Sequence, residues 1–226
     1  MKTMAKLLNL MQSNPLTLLV SLPENTLGFA KAAVEAGADT ITLVIDSYEK
    51  YLAEKDNLFE IIKKAEVPVG ISLNTTEDFE AADYKNMIAA GADYIAVPII
   101  KVPPLLKEQK EIAQVYILNK DYTIDELLNI KEVDKVVLEA KISKHKESGR
   151  EINVGDLQNY ITMATSTHLP IIVPTEKRIH PSEVPIIWDT GVKGIELTSV
   201  VLGQSEKSLQ KVTREYRMAI DDLVEA

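Results

Sequence analysis

Glu35-Ala-Gly-Ala-Asp39, followed by Thr40-Ile-Thr42, is the stretch that decides the fold, because its pattern returns twice along the chain. The later copies are Ala89-Ala-Gly-Ala-Asp93 before Tyr94-Ile-Ala96 and Asp189-Thr-Gly-Val-Lys193 before Gly194-Ile-Glu196. In each copy the glycine suits the left-handed conformation just past a helix end, and the next residues begin a strand. The pattern therefore predicts three helix-to-strand joints that lie far apart in the chain.

Two further joints place proline at the first residue of a strand, where its missing N–H costs least. They are Ala65-Glu-Val-Pro68 and Thr167-His-Leu-Pro170. The predicted strands are eight short apolar runs: Leu16–Leu22, Thr40–Ile45, Val67–Leu73, Tyr94–Ile99, Ile112–Leu118, Lys135–Ala140, Pro170–Val173 and Gly194–Thr198. Such near-continuous apolar runs are typical of parallel strands that are covered on both faces.

Helical stretches separate these runs. They are Leu27–Ala36, Tyr51–Ala65, Asp78–Ala90, Leu105–Glu111, Ile124–Ile130, Val154–Thr167, Pro181–Thr190 and Lys207–Val224, and Met1–Asn14 forms an amphipathic helix before the first strand. The alternation predicts an α/β fold, a single (β/α)₈ barrel that covers residues 1–226 and carries an N-terminal extra helix. An open doubly wound sheet has the same alternation, but no glycine-rich dinucleotide fingerprint follows an early strand.

The amino-acid composition argues against several classes of function. The net charge of −9 argues against general binding to nucleic acid or to anionic membranes, since both require a basic surface. The chain has no cysteine and only three scattered histidines, so we expect no disulfide, no thiolate nucleophile and no zinc site. We expect no cofactor and assign no metal, although the carboxylates of Glu24, Asp46, Asp121, Glu139 and Glu176 leave Mg²⁺ binding open. The start lacks the features of a secretory signal, which predicts a cytoplasmic location. A homo-oligomer is compatible with the sequence.

Ligands of such barrels bind where the strands end. The polar residues at the predicted strand ends include Ser21, Asp46, Asn74, Lys101, Lys120, Glu139 and Lys141. Each has an alternative explanation, because strand ends are wet and their polar groups cap the following helices. Lys141 comes two residues after Glu139 and lies on the same face, so the carboxylate can orient the amine or take its proton.

A long polar loop, Ile142–Asn153, follows the sixth predicted strand. The segment Lys141–Arg150 is rich in basic residues in a chain that is acidic as a whole. Long loops in compact domains are usually functional or disordered. We expect either a basic lid that draws in and covers a charged substrate or a solvated loop, and the sequence leaves both open.

The last quarter of the chain carries a family resemblance. Ile171-Ile-Val-Pro-Thr-Glu-Lys-Arg-Ile-His-Pro-Ser-Glu183 and Gly191-Val-Lys-Gly-Ile-Glu-Leu-Thr-Ser-Val-Val-Leu-Gly203 resemble the end of the ribulose-phosphate-binding barrel superfamily, and within it N-acetylmannosamine-6-phosphate 2-epimerases. The resemblance implies a phosphate on the backbone N–H groups of Ser199–Gly203. It also implies an acid/base role for Glu176. Lys177, Arg178, Thr198 and the Ser199 hydroxyl are further candidates for contact with the anion.

The chain departs from the epimerase pattern on two other strands. Ser72 and Asn74 stand where the family has a lysine, and Leu43–Asp46 replaces the segment that carries its arginine. The leading hypothesis is an isomerase or lyase for a small sugar phosphate or related anion, with Glu176 as acid/base and Lys120 or Lys141 as its partner. A barrel that binds a phosphorylated ligand without turning it over, and a Schiff-base aldolase with a strand-end lysine, remain open.

Overall fold

The computed structural model describes residues 5–75, 77–109, 111–130, 135–142 and 147–224. For Glu126 and Asn129 it describes the backbone alone. The strands are β1 (Thr17–Ser21), β2 (Thr40–Ile45), β3 (Val69–Leu73), β4 (Tyr94–Pro98), β5 (Ala113–Leu118), β6 (Val136–Ala140), β7 (Ile171–Pro174) and β8 (Gly194–Leu197). The helices are α1 (Lys6–Ser13), α2 (Leu27–Glu35), α3 (Tyr48–Lys64), α4 (Ala81–Ala90), α5 (Pro104–Glu108), α6 (Ile124–Asn129), α7 (Val154–Ser166), α8 (Val184–Asp189), α9 (Ser199–Leu202) and α10 (Glu206–Asp221). Short 3₁₀ turns cover Ile99–Lys101, Pro181–Glu183 and Asp222–Val224.

The eight strands form one closed parallel barrel in sequence order. Closure occurs between the first and last strands, where Thr17 lies opposite Gly194 and Val20 opposite Leu197. This pairing confirms the predicted (β/α)₈ barrel and excludes the open sheet, whose first and last strands would not meet. Because the strands are parallel, their carboxyl ends share one rim, and every predicted strand-end residue belongs to that rim.

Helix α1 closes the opposite end of the barrel, as the predicted N-terminal extra helix. Leu7, Leu8 and Met11 are buried there, in one cluster with the side chains that fill the barrel interior. The carboxylate of Asp93, just before β4, accepts hydrogen bonds from the N–H groups of Lys6 at 3.0 Å and Leu7 at 2.8 Å. Those donors have no partner within the helix, so Asp93 fastens α1 to the barrel. Residues 1–4 of the predicted helix lie outside the described residues.

Most helix and strand ends lie within two residues of the predicted ones, and the larger differences have local causes. Helix α3 begins at Tyr48 rather than Tyr51, because the Ser47 hydroxyl accepts the N–H of Lys50 and caps the helix. Helix α4 begins at Ala81 rather than Asp78, since Glu80 and Asp83 form a reciprocal capping box. Among the described residues, no helix is long and apolar enough to cross a membrane.

The described part of the long loop after β6 is held by backbone pairing. Gly149 donates its N–H to the carbonyl of Glu176 at 2.8 Å, and Arg178 donates to the carbonyl of Arg150 at 2.8 Å. Glu151 thereby forms a parallel bridge with Arg178. The basic residues that motivated the predicted lid, Lys144 to Lys146, lie outside the described residues, so the lid stays a prediction.

A tyrosine ring packs against a glycine in the middle of the barrel. Tyr94 on β4 is fully buried, and its hydroxyl is 2.7 Å from the Thr42 hydroxyl and donates to the Ile41 carbonyl at 3.3 Å. A Cβ atom on Gly70 would lie 2.0 Å from the Cε2 atom of the ring. Residue 70 must therefore be glycine for the ring to cross the interior.

We predict that Gly70→Ala lowers the free energy of unfolding by at least about 2 kcal/mol, because overpacked cores lose stability on this scale. In a Tyr94→Ala background, which removes the ring, the same substitution should cost less than about 1 kcal/mol. Urea unfolding of the four proteins measures both values. An equal cost in the two backgrounds would contradict the proposed contact between the ring and the glycine.

Candidate functional site

A cavity of about 760 Å³ opens at the rim formed by the carboxyl ends of the strands, and each of the eight strands or the residues directly after it contributes to its wall. We call it the mouth cavity. Nine of the predicted site residues line it: Ser21, Asp46, Asn74, Lys120, Glu139, Lys141, Glu176, Thr198 and Ser199. The barrel topology brings them together from positions up to 178 residues apart in sequence.

An ion pair crosses the wall of the mouth cavity between neighbouring strands. Lys141 directly follows β6, and its Nζ lies 3.2 Å from Oε1 of Glu176, which follows β7. The same Nζ donates to Oδ1 of Asn74, beyond β3 on the other side of the barrel, at 3.2 Å. The side chains of Lys141 and Glu176 are 31% and 21% exposed, so a ligand in the cavity can reach both.

Two buried carboxyl groups lie deeper in the same cavity. Glu139 on β6 and Glu196 on β8 are each 7% exposed, and both line the cavity. Burial, followed by the charges of Glu196 and Glu176, raises the pKa of Glu139 well above its ordinary value despite the attraction of Lys141. Burial also raises the pKa of Glu196, against a hydrogen bond from Thr42 and the charge of Lys141.

Glu196 is the functional candidate that the sequence reasoning missed. It stands in the short strand Gly194-Ile-Glu-Leu197, two residues before Thr198 and therefore on the same face of the chain. A charged residue inside a short apolar strand was the available signal. Its burial depends on the position of β8 in the closed barrel, and this cannot be read from the strand alone.

The charges around Lys141 decide its protonation state. Burial by itself lowers the pKa of the amine, but attraction from Glu176 and then Glu139 outweighs burial, and the net pKa is raised. The raised pKa favours the ammonium form of Lys141 over the neutral amine that a Schiff base requires. Lys101 pairs with Asp78 at 3.0 Å outside the mouth cavity, and Lys120 pairs with the adjacent Asp121.

Three of the residues expected to contact an anion lie outside the mouth cavity. The ammonium of Lys177 is buried against helix α7, where it contacts the two carboxylate oxygens of Asp156 at 2.7 and 2.8 Å. Arg178 is half exposed and lies 3.9 Å from Glu151. Gly203 ends helix α9 with a φ of 73° and does not line the cavity. The chain turns Glu176 toward the cavity and Lys177 away from it.

Thr198 and Ser199 form the cavity wall after β8. The Thr198 N–H donates to the Thr175 hydroxyl at 2.8 Å, and the Thr198 hydroxyl donates to the Thr175 carbonyl at 3.1 Å. These bonds join the ends of β7 and β8 through side chains. Ser199 begins the four-residue helix α9. The first N–H groups of a helix have no partner within it, so they are available at this wall.

Asp46 lines the part of the rim that follows β2. Its carboxylate is 3.7 Å from the ammonium of Lys50 on α3, which also lines the mouth cavity. Asn25 supports this corner, because its amide donates to the Val44 carbonyl at 3.0 Å and its Oδ1 accepts the Val44 N–H at 3.1 Å. The rim therefore carries Lys50, Lys120 and Lys141, although the protein as a whole is acidic.

Outside the mouth cavity, Glu151, His180 and Glu183 bring possible metal ligands within 4.8 Å of one another. His180 Nε2 lies 3.1 Å from Oε2 of Glu151, and the Glu183 carboxylate accepts the His180 N–H at 2.7 Å. The three groups thus already join the turn at Pro181–Glu183 to the loop after β6. We assign no metal to them.

No protein-family model matches the chain, and no curated protein matches it. Solved structures do resemble it. Thiamine phosphate pyrophosphorylase from Pyrococcus furiosus has a TM-score of 0.65 at 17% identity, over 93% of this chain and 98% of that one. KGPDC from Streptococcus mutans has a TM-score of 0.69 at 13% identity, over 92% and 98%.

A third similar structure is N-(5'-phosphoribosyl)anthranilate isomerase from Pyrococcus furiosus, with a TM-score of 0.61 and 17% identity over 90% of this chain and 99% of that one. These likenesses establish the fold. The chain has the (β/α)₈ barrel fold of these proteins. The expected superfamily resemblance is thereby confirmed at the level of the fold, and the closer resemblance to epimerases stays a prediction.

The buried carboxyl groups lead to a prediction about stability and pH. Their folded pKa values lie above the ordinary glutamate value of about 4.3, so their stabilising effect is complete below that value and is lost as pH rises through the folded pKa. The double variant Glu139→Gln/Glu196→Gln cannot ionise at either position but keeps the shape of both side chains. The variant should therefore gain thermal stability relative to the wild type as pH rises from about 4.5 to about 8.

Thermal unfolding at several pH values within that range measures the effect. Glu35→Gln is the matched control, because Glu35 is an exposed residue of α2 and its substitution should leave the pH profile unchanged. Parallel profiles for the wild type and the double variant would show that burial does not perturb these carboxyl groups.

Proposed function

We propose that the mouth cavity binds a small phosphorylated sugar or a related anion and isomerises or cleaves it, with Glu176 as acid/base and Lys141 as its partner. The observation that carries the proposal is the contact of 3.2 Å between Lys141 Nζ and Glu176 Oε1, in a cavity large enough for a small metabolite. Both side chains are partly exposed and within reach of one ligand.

The pair supplies two complementary functions for chemistry next to a carbonyl group. The Glu176 carboxylate takes the proton from the carbon beside the carbonyl, and the electron pair of that C–H bond moves toward the carbonyl oxygen. The Lys141 ammonium stabilises the negative charge that develops on this oxygen, and Asn74 holds the ammonium in place. To complete an isomerisation, the hydroxyl proton on the deprotonated carbon moves to the former carbonyl oxygen, and Glu176 returns its proton to the former carbonyl carbon.

We place the anionic end of the ligand at Ser199 and Val200, the first residues of α9, which line the same cavity. Unpaired N–H groups at the start of a helix attract anions, and Lys50 and Lys120 add positive charge to the rim. The names of two structural relatives, thiamine phosphate pyrophosphorylase and phosphoribosylanthranilate isomerase, include phosphate-bearing compounds and support this choice.

We predict that phosphate, sulfate and sugar phosphates raise the melting temperature in a thermal-shift assay, because a ligand that binds the folded state stabilises it by mass action. Ser199→Asp should abolish this shift by placing a negative charge at the anion site. Ser182→Asp is the matched control, since Ser182 is exposed and outside the mouth cavity. Equal shifts for the Ser199 variant and the wild type would show that the anion site is elsewhere.

We predict that Glu176→Gln lowers turnover by at least about 100-fold and preserves ligand binding, because the amide occupies the same space but cannot take a proton. Nuclear magnetic resonance of a panel of sugar phosphates detects isomers or cleavage products. Glu35→Gln serves as the control with unchanged turnover. Full activity of the Glu176 variant would remove Glu176 from the mechanism, and binding without turnover by the wild type would indicate a ligand-binding barrel.

A further inference from the structure

The proposed reaction leaves two groups of the mouth cavity without a task. These are Glu139 and Glu196, which we call the floor carboxyls because they lie in the deeper part of the cavity. Both are more than nine-tenths buried, yet both line the cavity, so their remaining exposed surface faces it. Buried polar groups are normally hydrogen-bonded, and each exception requires an explanation.

The described part of the protein leaves hydrogen-bonding capacity on the floor carboxyls. Within the described part of the chain, no side chain or backbone N–H donates a hydrogen bond to the carboxyl group of Glu139. The Thr42 hydroxyl acts on Glu196 by lowering its pKa. The Thr42 hydroxyl is itself shared with the Tyr94 hydroxyl at 2.7 Å. Part of the hydrogen-bonding capacity of the floor therefore remains open to a ligand in the cavity.

The charge balance of the cavity determines what such a ligand can be. Glu139, Glu176 and Glu196 all act on the ammonium of Lys141, and Glu176 makes the direct contact with it. The floor carboxyls themselves offer no positive charge to a negative group of the ligand. The anionic end of a ligand must therefore point away from the floor, toward Ser199 and the rim lysines.

We propose that Glu139 and Glu196 form a subsite for the hydroxyl groups of a polyhydroxylated substrate, at the end opposite its phosphate. The inference rests on the proposed function and specifies its substrate as a sugar or polyol phosphate rather than a simple alkyl phosphate. The carbon chain then passes Glu176 and Lys141 between the floor and the anion site. The floor carboxyls position the substrate and take no part in the proton transfer.

Hydroxyl groups suit this floor better than ammonium groups do. Burial favours the protonated form of both floor carboxyls, and a protonated carboxyl both donates and accepts hydrogen bonds. A hydroxyl group also does both, whereas an ammonium group only donates. An apolar ligand end would cover the carboxyl group of Glu139 without offering it a hydrogen bond, at a cost that a hydroxylated ligand avoids.

Isothermal titration calorimetry with three matched probes tests the subsite: ribitol 5-phosphate, pentyl phosphate, which lacks the hydroxyls, and 1-amino-1-deoxyribitol 5-phosphate. The wild type should bind ribitol 5-phosphate at least about tenfold more tightly than pentyl phosphate, because a site built for hydroxyl groups rejects a ligand without them. The amino analogue should bind more weakly than ribitol 5-phosphate. A tighter amino analogue would overturn the assignment to hydroxyl groups.

Substitutions at the floor separate the subsite from the anion site. Glu139→Met and Glu196→Met keep the size of the side chain but remove its hydrogen bonds, so each should reduce the tenfold preference to about threefold or less. Affinity for inorganic phosphate should not change, and affinity for pentyl phosphate should stay the same or rise, because a Met side chain needs no hydrogen bond. Glu139→Gln, which retains hydrogen bonding, should restore most of the preference. A preference that survives both Met substitutions would overturn the proposal.

Two further controls keep the outcomes distinct. Thermal unfolding verifies that each variant is folded, and if a Met variant does not fold, the Gln variant and the other position still test the subsite. Ribitol without phosphate tests the floor separately from the anion site. If no phosphate compound binds the wild type, but ribitol binds and requires Glu139, only the proposed anion site is contradicted. Ribitol 5-phosphate binding equal to that of pentyl phosphate would contradict only the subsite.

Discussion

The mouth of this barrel depends on one cation among three carboxyl groups. Lys141 is the shared partner of Glu176, Glu139 and Glu196, and these attractions outweigh the burial that would otherwise favour a neutral amine. The ammonium keeps Glu176 oriented at the cavity wall, and the deeper carboxyls are left with incomplete partners. Each part of the functional account, the acid/base pair, the rejection of a Schiff base and the hydroxyl-binding floor, follows from this balance of charge.

Barrel closure places these groups together and leaves only one end open to a ligand. Helix α1, fastened by Asp93, covers the amino-terminal end, and the Tyr94 ring against Gly70 fills the interior above it. The carboxyl ends of the strands consequently enclose a cavity with a closed base. The first and last strands also meet at this rim, because Val20 on β1 pairs with Leu197 on β8.

The sequence was sufficient for the fold because strand-forming runs and glycine joints are local signals. Thr40–Ile45 matches its predicted bounds, and β3 begins two residues later than predicted, at Val69. The functional site could be predicted less completely from local signals of this kind. Glu176 and Lys177 are adjacent in sequence, but only Glu176 lines the cavity, since Lys177 pairs with Asp156 of a neighbouring helix. Glu196 became a candidate only when closure of the barrel placed it near Lys141. The direction of a side chain and the extent of its burial depend on contacts between distant segments. A local sequence pattern does not contain these contacts.

The measurement that tests this account most directly is a pH titration of the glutamate carboxyl carbons by nuclear magnetic resonance, with Glu139→Gln and Glu196→Gln used to assign the two signals. The account predicts that both floor carboxyls lose their protons above the ordinary glutamate pKa of about 4.3, Glu139 well above it. It also predicts that a bound polyol phosphate perturbs both signals. Titration of both groups at the ordinary value, with no response to a ligand that binds the mouth cavity, would contradict the charge balance from which the site is inferred.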